Sequence, residues 1–103
     1  MPLPAYQRHS PLPAATPVKI REPIRVAVDF LPASRQGQRT KVRPLAFVWS
    51  GKKYAVERVN LVYKRRDGAR DLWCFAVSDA ANSYVLLYDP ADMRWTLEEV
   101  YTL

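Results

Sequence analysis

The residues able to do chemistry are few, and their placement limits what they can do. His9 is the single histidine and Cys74 the single cysteine. A nucleophile–imidazole pair would therefore take its base from a proline-rich terminal stretch, which is a poor anchor for proton transfer. A zinc centre needs several Cys or His ligands, and the chain has one of each. All three glycines fall in short polar breaks, so no glycine-rich loop is present to cradle a phosphate. Cys74, between Trp73 and Phe75, reads as an inert buried or half-buried thiol. The acid pairs Asp89 with Asp92 and Glu98 with Glu99 are of the right type for hydrolysis or cation binding. Their positions in a turn and on a strand fit capping and solvated charge better. No catalytic residue, metal ligand or cofactor is expected, and the chain reads as non-enzymatic.

The basic residues are the stronger lead. The net charge is +6, and it is unevenly spread. Residues 1–34 carry four basic and two acidic side chains, residues 35–70 eleven and two, and residues 71–103 one and six. Such asymmetry suits contact with a polyanion or association between copies, or else basic and acidic strands that neutralise one another across a sheet. If successive strands run up and down, the loop ending at 41–43 and the loop 64–70 fall at the same end. Arg39, Lys41, Arg43, Lys64, Arg65, Arg66 and Arg70, with Arg35, would then outnumber Asp67, Asp71, Asp89 and Asp92 there. These seven named cations are the expected nucleic-acid-binding residues, with Tyr54, Tyr63, Tyr84 and Tyr88 either a stacking platform beside them or part of the core.

The elements that must hold these side chains are strands. Between Leu45 and Tyr101, apolar stretches of strand length alternate with breaks carrying Gly, Asp, Asn or Pro, the pattern of a small antiparallel meander. Upstream, Ile24, Val26, Val28 and Phe30 alternate with Arg25, Ala27 and Asp29, giving one more strand with a single buried face. Leu45, Phe47 and Trp49 share a face. The apolar phase slips twice, at Glu57 with Arg58 and at Glu98 with Glu99, and a β-bulge at such a point bends a strand. For the break around Gly68, a three-residue loop opposes Leu61 to Trp73 and Val59 to Phe75. A two-residue Asp67-Gly68 turn opposes Leu61 to Cys74 instead; the first packs more area and is the expected register. The fold class expected is all-β, a small curled meander or partly open barrel of five to six strands.

A chain of 103 residues is one domain's worth, 49% of it hydrophobic, with three Trp to fill a modest core. Six of the nine prolines lie in the first 23 residues. Residues 1–17 therefore read as a flexible arm and 18–103 as a single β domain. No apolar run is long enough for a signal peptide or membrane span, and one cysteine cannot form an internal disulfide. A cytoplasmic protein without membrane contact is expected.

From Phe47 onward the chain resembles a group of small bacterial domains of unknown function. They share F-x-W-x-G-x-x-Y-x-V-x-x-V, a W-x-F/Y-x-V strand, an L-x-Y-D segment and a terminal W-x-L-x-x-V-Y. The matching residues are Phe47, Trp49, Gly51, Tyr54, Val56 and Val59; Trp73, Phe75 and Val77; Leu86, Tyr88 and Asp89; Trp95, Leu97, Val100 and Tyr101. The resemblance covers little over half the chain and implies an accessory role, contacting nucleic acid or docking a protein, rather than catalysis. It names no functional residues. Three functions remain open: an accessory nucleic-acid-binding module, a protein-interaction or self-associating module, and a small-ligand domain with a pocket lined by Trp49, Trp73 and Trp95.

Overall fold

The computed structural model describes residues 17–30 and 42–102. Residues 1–16, which make up all but the last position of the expected arm, the segment 31–41 with Arg39 and Lys41, and residue 103 lie outside the described residues. Among the described residues every regular element is a strand: β1 (Pro17–Phe30), β2 (Val42–Trp49), β3 (Lys52–Ala55), β4 (Arg58–Asp67), β5 (Arg70–Ser78), β6 (Asn82–Asp89) and β7 (Arg94–Thr102). They form one antiparallel seven-stranded sheet in the order β3-β2-β1-β7-β6-β5-β4, and no ladder closes its two edges on each other. The all-β expectation holds. The strand count exceeds five to six because residues 54–63, read as one bent strand, are shared between β3 and β4.

One strand changes its paired neighbour part-way, and the two edge strands follow one another in the chain. β1 pairs with β7 as far as Ile24 and with β2 from Arg25 onward. The edge strands β3 and β4 are consecutive in the chain, joined by Val56 and Glu57. The Val56 amide donates to the Leu45 carbonyl at 2.8 Å, and the Glu57 amide donates to the Ser78 carbonyl at 3.0 Å. The phase slip at Glu57 and Arg58 is thus a change of partner strand. The bulge lies three residues on, at Asn60, between the pairs Val59↔Val77 and Leu61↔Ala76. The second slip is a bulge as expected: Glu98 is passed over on β7 between Leu86↔Leu97 and Val85↔Glu99.

The hairpin at Gly68 departs from both expected registers. Asp67 pairs with Arg70, leaving Gly68 and Ala69 as the loop. Gly68 has φ +64 and Ala69 is not left-handed, the pattern of a type II′ turn. Val62 therefore faces Phe75, and Tyr63 faces Cys74. The Asn60 bulge absorbs the offset, so that Val59 and Val62 both reach the core while Leu61 is left exposed. Leu45 also leaves its expected face. The β1–β2 register jumps from Ala27↔Ala46 to Val28↔Pro44, which leaves Leu45 in a bulge and 44% exposed, with Pro44 buried in its place. Proline is tolerated there because the β2–β3 ladder begins only at Ala46.

The core is built from Phe47, Phe75, Val77, Tyr84, Leu86, Leu97 and Val100. Phe47 stacks on Tyr54 at 5.1 Å between centroids and meets the edge of Tyr84 at 5.1 Å. Strand β5 is buried on both faces: Leu72 and Cys74 are covered on the side away from the Phe75 and Val77 core.

Candidate functional site

Five of the seven expected binding residues are described, and the structure separates them. Lys64, Arg65, Arg66 and Arg70 stand together at the β4–β5 hairpin. Arg43 does not join them. It lies two residues from Leu45, whose carbonyl accepts from Val56, two residues ahead of β4. Lys64 is eight residues beyond Val56, on the order of 25 Å at a strand's rise.

The hairpin cations also have partners. Arg66 pairs with Asp71 at 3.6 Å, and Arg70 reaches both Asp89 and Asp92, the latter at 3.2 Å. Arg65 extends over the outer face toward Glu98 at 3.9 Å, which Arg21 approaches at 3.6 Å from the other side. Lys64 sits 5.4 Å from the centre of the Trp73 ring, opposite it in the ladder. Further along the outer face Lys19 pairs with Glu99, and this lysine holds the Glu99 carboxyl below its usual range, with Tyr101 donating to it at 2.9 Å. The acidic last third of the sequence therefore meets its basic middle within one sheet. Of the two meanings open for the charge asymmetry, cross-strand neutralisation accounts for this end.

Positive charge without that compensation stands elsewhere. On the outer face of β1, β2 and β3, Arg25, Val48 and Lys53 are cross-strand neighbours, and the next row is Ala27, Ala46 and Ala55. Arg25 and Lys53 line a shallow groove of about 290 Å³ floored by Ala27, Ala46 and Val48. Arg43 lies on the same face, with Asp29 opposite it in the ladder. Among the described residues no carboxylate lies within ion-pair distance of Arg25, Arg43 or Lys53. Small side chains let an extended backbone approach closely, and cations at both margins suit a chain of phosphates. Arg25 and Lys53 were missed in the sequence because their adjacency depends on β2 lying between β1 and β3. The alternation that places them both outward was legible.

The tyrosines resolve in favour of the core. Tyr84 is buried, Tyr54 and Tyr88 are half-buried against the core cluster, and only Tyr63 is open to solvent. The three tryptophans pack apart. Trp49 lies against Tyr54 and donates to Glu22 at 2.9 Å, Trp73 lies under Lys64, and Trp95 packs on Phe75 and Tyr88. Cys74 is fully buried, and that burial pushes its thiol up, away from the thiolate a nucleophile requires.

No protein-family model, curated protein or solved structure matches the chain. Function must be argued from the surface itself. Among the described residues no group of three or more His, Cys, Asp or Glu side chains could hold a metal ion, and no helix is long and apolar enough to cross a membrane.

Proposed function

We propose that the chain is a non-enzymatic β module that contacts the backbone of nucleic acid through the outer face of β1, β2 and β3. The observation that supports this reading is the trio Arg25, Arg43 and Lys53, without ion pairs among the described residues, on a face floored by small side chains. Arg39 and Lys41 precede Arg43 in sequence and add to the same basic stretch. The hairpin cations Lys64, Arg65, Arg66 and Arg70 serve the sheet's own carboxylates first and contribute less. Binding is micromolar or weaker and falls steeply with salt, because phosphate contacts release counterions. Fluorescence anisotropy across a salt series tests this. Replacing Arg25, Arg43 and Lys53 with Gln reduces the salt slope by roughly two to three, about one for each phosphate no longer neutralised. The matching change at Lys64, Arg65 and Arg66 has the smaller effect. Equal affinity for wild type and the first variant overturns the site.

A second reading rests on a separate feature. β4 is an open edge of ten residues carrying the exposed Leu61 and Tyr63 beside it. An edge of that kind accepts an extended strand from a partner protein or a second copy. A salt-stable dimer in light scattering, with no oligonucleotide binding, favours this alternative.

A further inference from the structure

The β1–β7 ladder ends at Ile24↔Trp95 because β7 begins at Arg94, while β1 runs on to Phe30. An open cleft of about 550 Å³ lies there, lined by Ile24, Arg25, Val26, Met93, Arg94 and Trp95. Three features of it point to a ligand. Arg25 and Arg94 have no ion pair among the described residues, whereas Asp92 on the rim accepts from Arg70 at 3.2 Å. Met93 is 74% exposed, held over the cleft by the left-handed backbone, φ 55, with which it closes the 90–93 turn. From Arg25 onward the β1 edge facing away from β2 is no longer paired with β7, so backbone donors and acceptors border the apolar floor.

We propose that this cleft takes one unpaired base of a single-stranded nucleic acid. Arg25 and Arg94 bracket it to meet the flanking phosphates, Met93 and Trp95 offer apolar contact to the ring, and the free β1 edge offers hydrogen bonds to its rim. Arg25 lines both this cleft and the groove toward Lys53, so a strand lying on the β1–β2–β3 face runs directly to it. The inference rests on the nucleic-acid reading above and adds a preference for single strands, because a duplex keeps its bases stacked and paired.

The test compares the full chain's affinity, by fluorescence anisotropy at one low salt concentration, for an oligothymidylate, an abasic strand of equal length and a duplex of equal length. The expected result is binding of the oligothymidylate roughly tenfold tighter than the abasic strand, in keeping with one stacked base. Met93→Gly, which suits the left-handed backbone and removes the side chain, brings the two values closer together. Equal affinity for oligothymidylate and abasic strand overturns the base cleft and leaves the backbone-binding reading standing. Absence of binding to all three overturns both.

Discussion

Asp79 organises its turn through one side chain. Its carboxylate accepts the amides of Ala81 and Asn82 at 2.8 Å each and the Tyr84 hydroxyl at 3.0 Å. Burial by itself raises the carboxyl pKa, but these donors outweigh it and hold the group below the usual carboxylate range. A carboxyl depressed on folding adds stability at pH values above its unfolded pKa and loses it as pH falls through the folded one. Asp79→Ala is therefore expected to cost roughly 1–2 kcal/mol near neutrality, from hydrogen bonds accepted by a charged group. Thermal unfolding of both proteins from pH 7 down to pH 2 should show the gap narrowing below about pH 4. A gap that widens in acid contradicts the assignment. The turn was read as polar from its Asp, Asn and Ser, but the Tyr84 contact was not, because alternation marks Tyr84 only as core.

Among the elements, β7 decides most. It is the strand on which Leu97 and Glu98, adjacent in sequence, meet opposite fates: Leu97 is fully buried in the core, and Glu98 is buried on the outer face between Arg21 and Arg65. Leu97→Ala leaves a cavity among packed side chains and should cost about 2–5 kcal/mol. Glu98→Ala removes a carboxylate whose two arginines are 69% and 41% exposed and can rehydrate, so a loss nearer 1 kcal/mol is expected. Urea denaturation of the two variants gives the order directly, and a larger loss at Glu98 would mean the pair supports more of the sheet than its geometry suggests. This bulge was legible because Trp95, Leu97 and Val100 keep one face only if a residue is skipped. The Asn60 bulge was hidden, since Val59, Leu61 and Tyr63 alternate cleanly without it. Leu61 is 56% exposed and Tyr63 37%, because β4 is an edge with fewer neighbours to cover its outward face.

For the molecule as a whole, the sheet order brings its first and last strands, β1 and β7, together. β1 lies between β2 and β7, so Lys19 and Arg21 reach Glu99 and Glu98, while Arg65 reaches Glu98 from the opposite edge. The acidic residues of the last third are largely engaged inside the chain: Asp71, Asp89, Asp92, Glu98 and Glu99 all have cationic partners in the same sheet. Head-to-tail association driven by charge is then not expected, and the mass from light scattering should stay constant between low and high salt. A mass that falls as salt is added would show that carboxylates at this face prefer another copy's cations.

Apolar period and turn chemistry, read from the residues alone, determined that this protein is all-β and where most of its strands lie; they also located the break at Gly68 and the bend at Glu98. Those signals are local, each set by side chains within a few positions of one another. Which cations keep their charge was decided only by the tertiary structure. Arg65 and Arg66 look like a binding cluster in sequence and are engaged by Glu98 and Asp71, while Arg25 and Lys53, far apart in sequence, become neighbours across Val48. Cross-strand adjacency depends on strand order and register, and both follow from contacts between distant segments that periodicity does not encode.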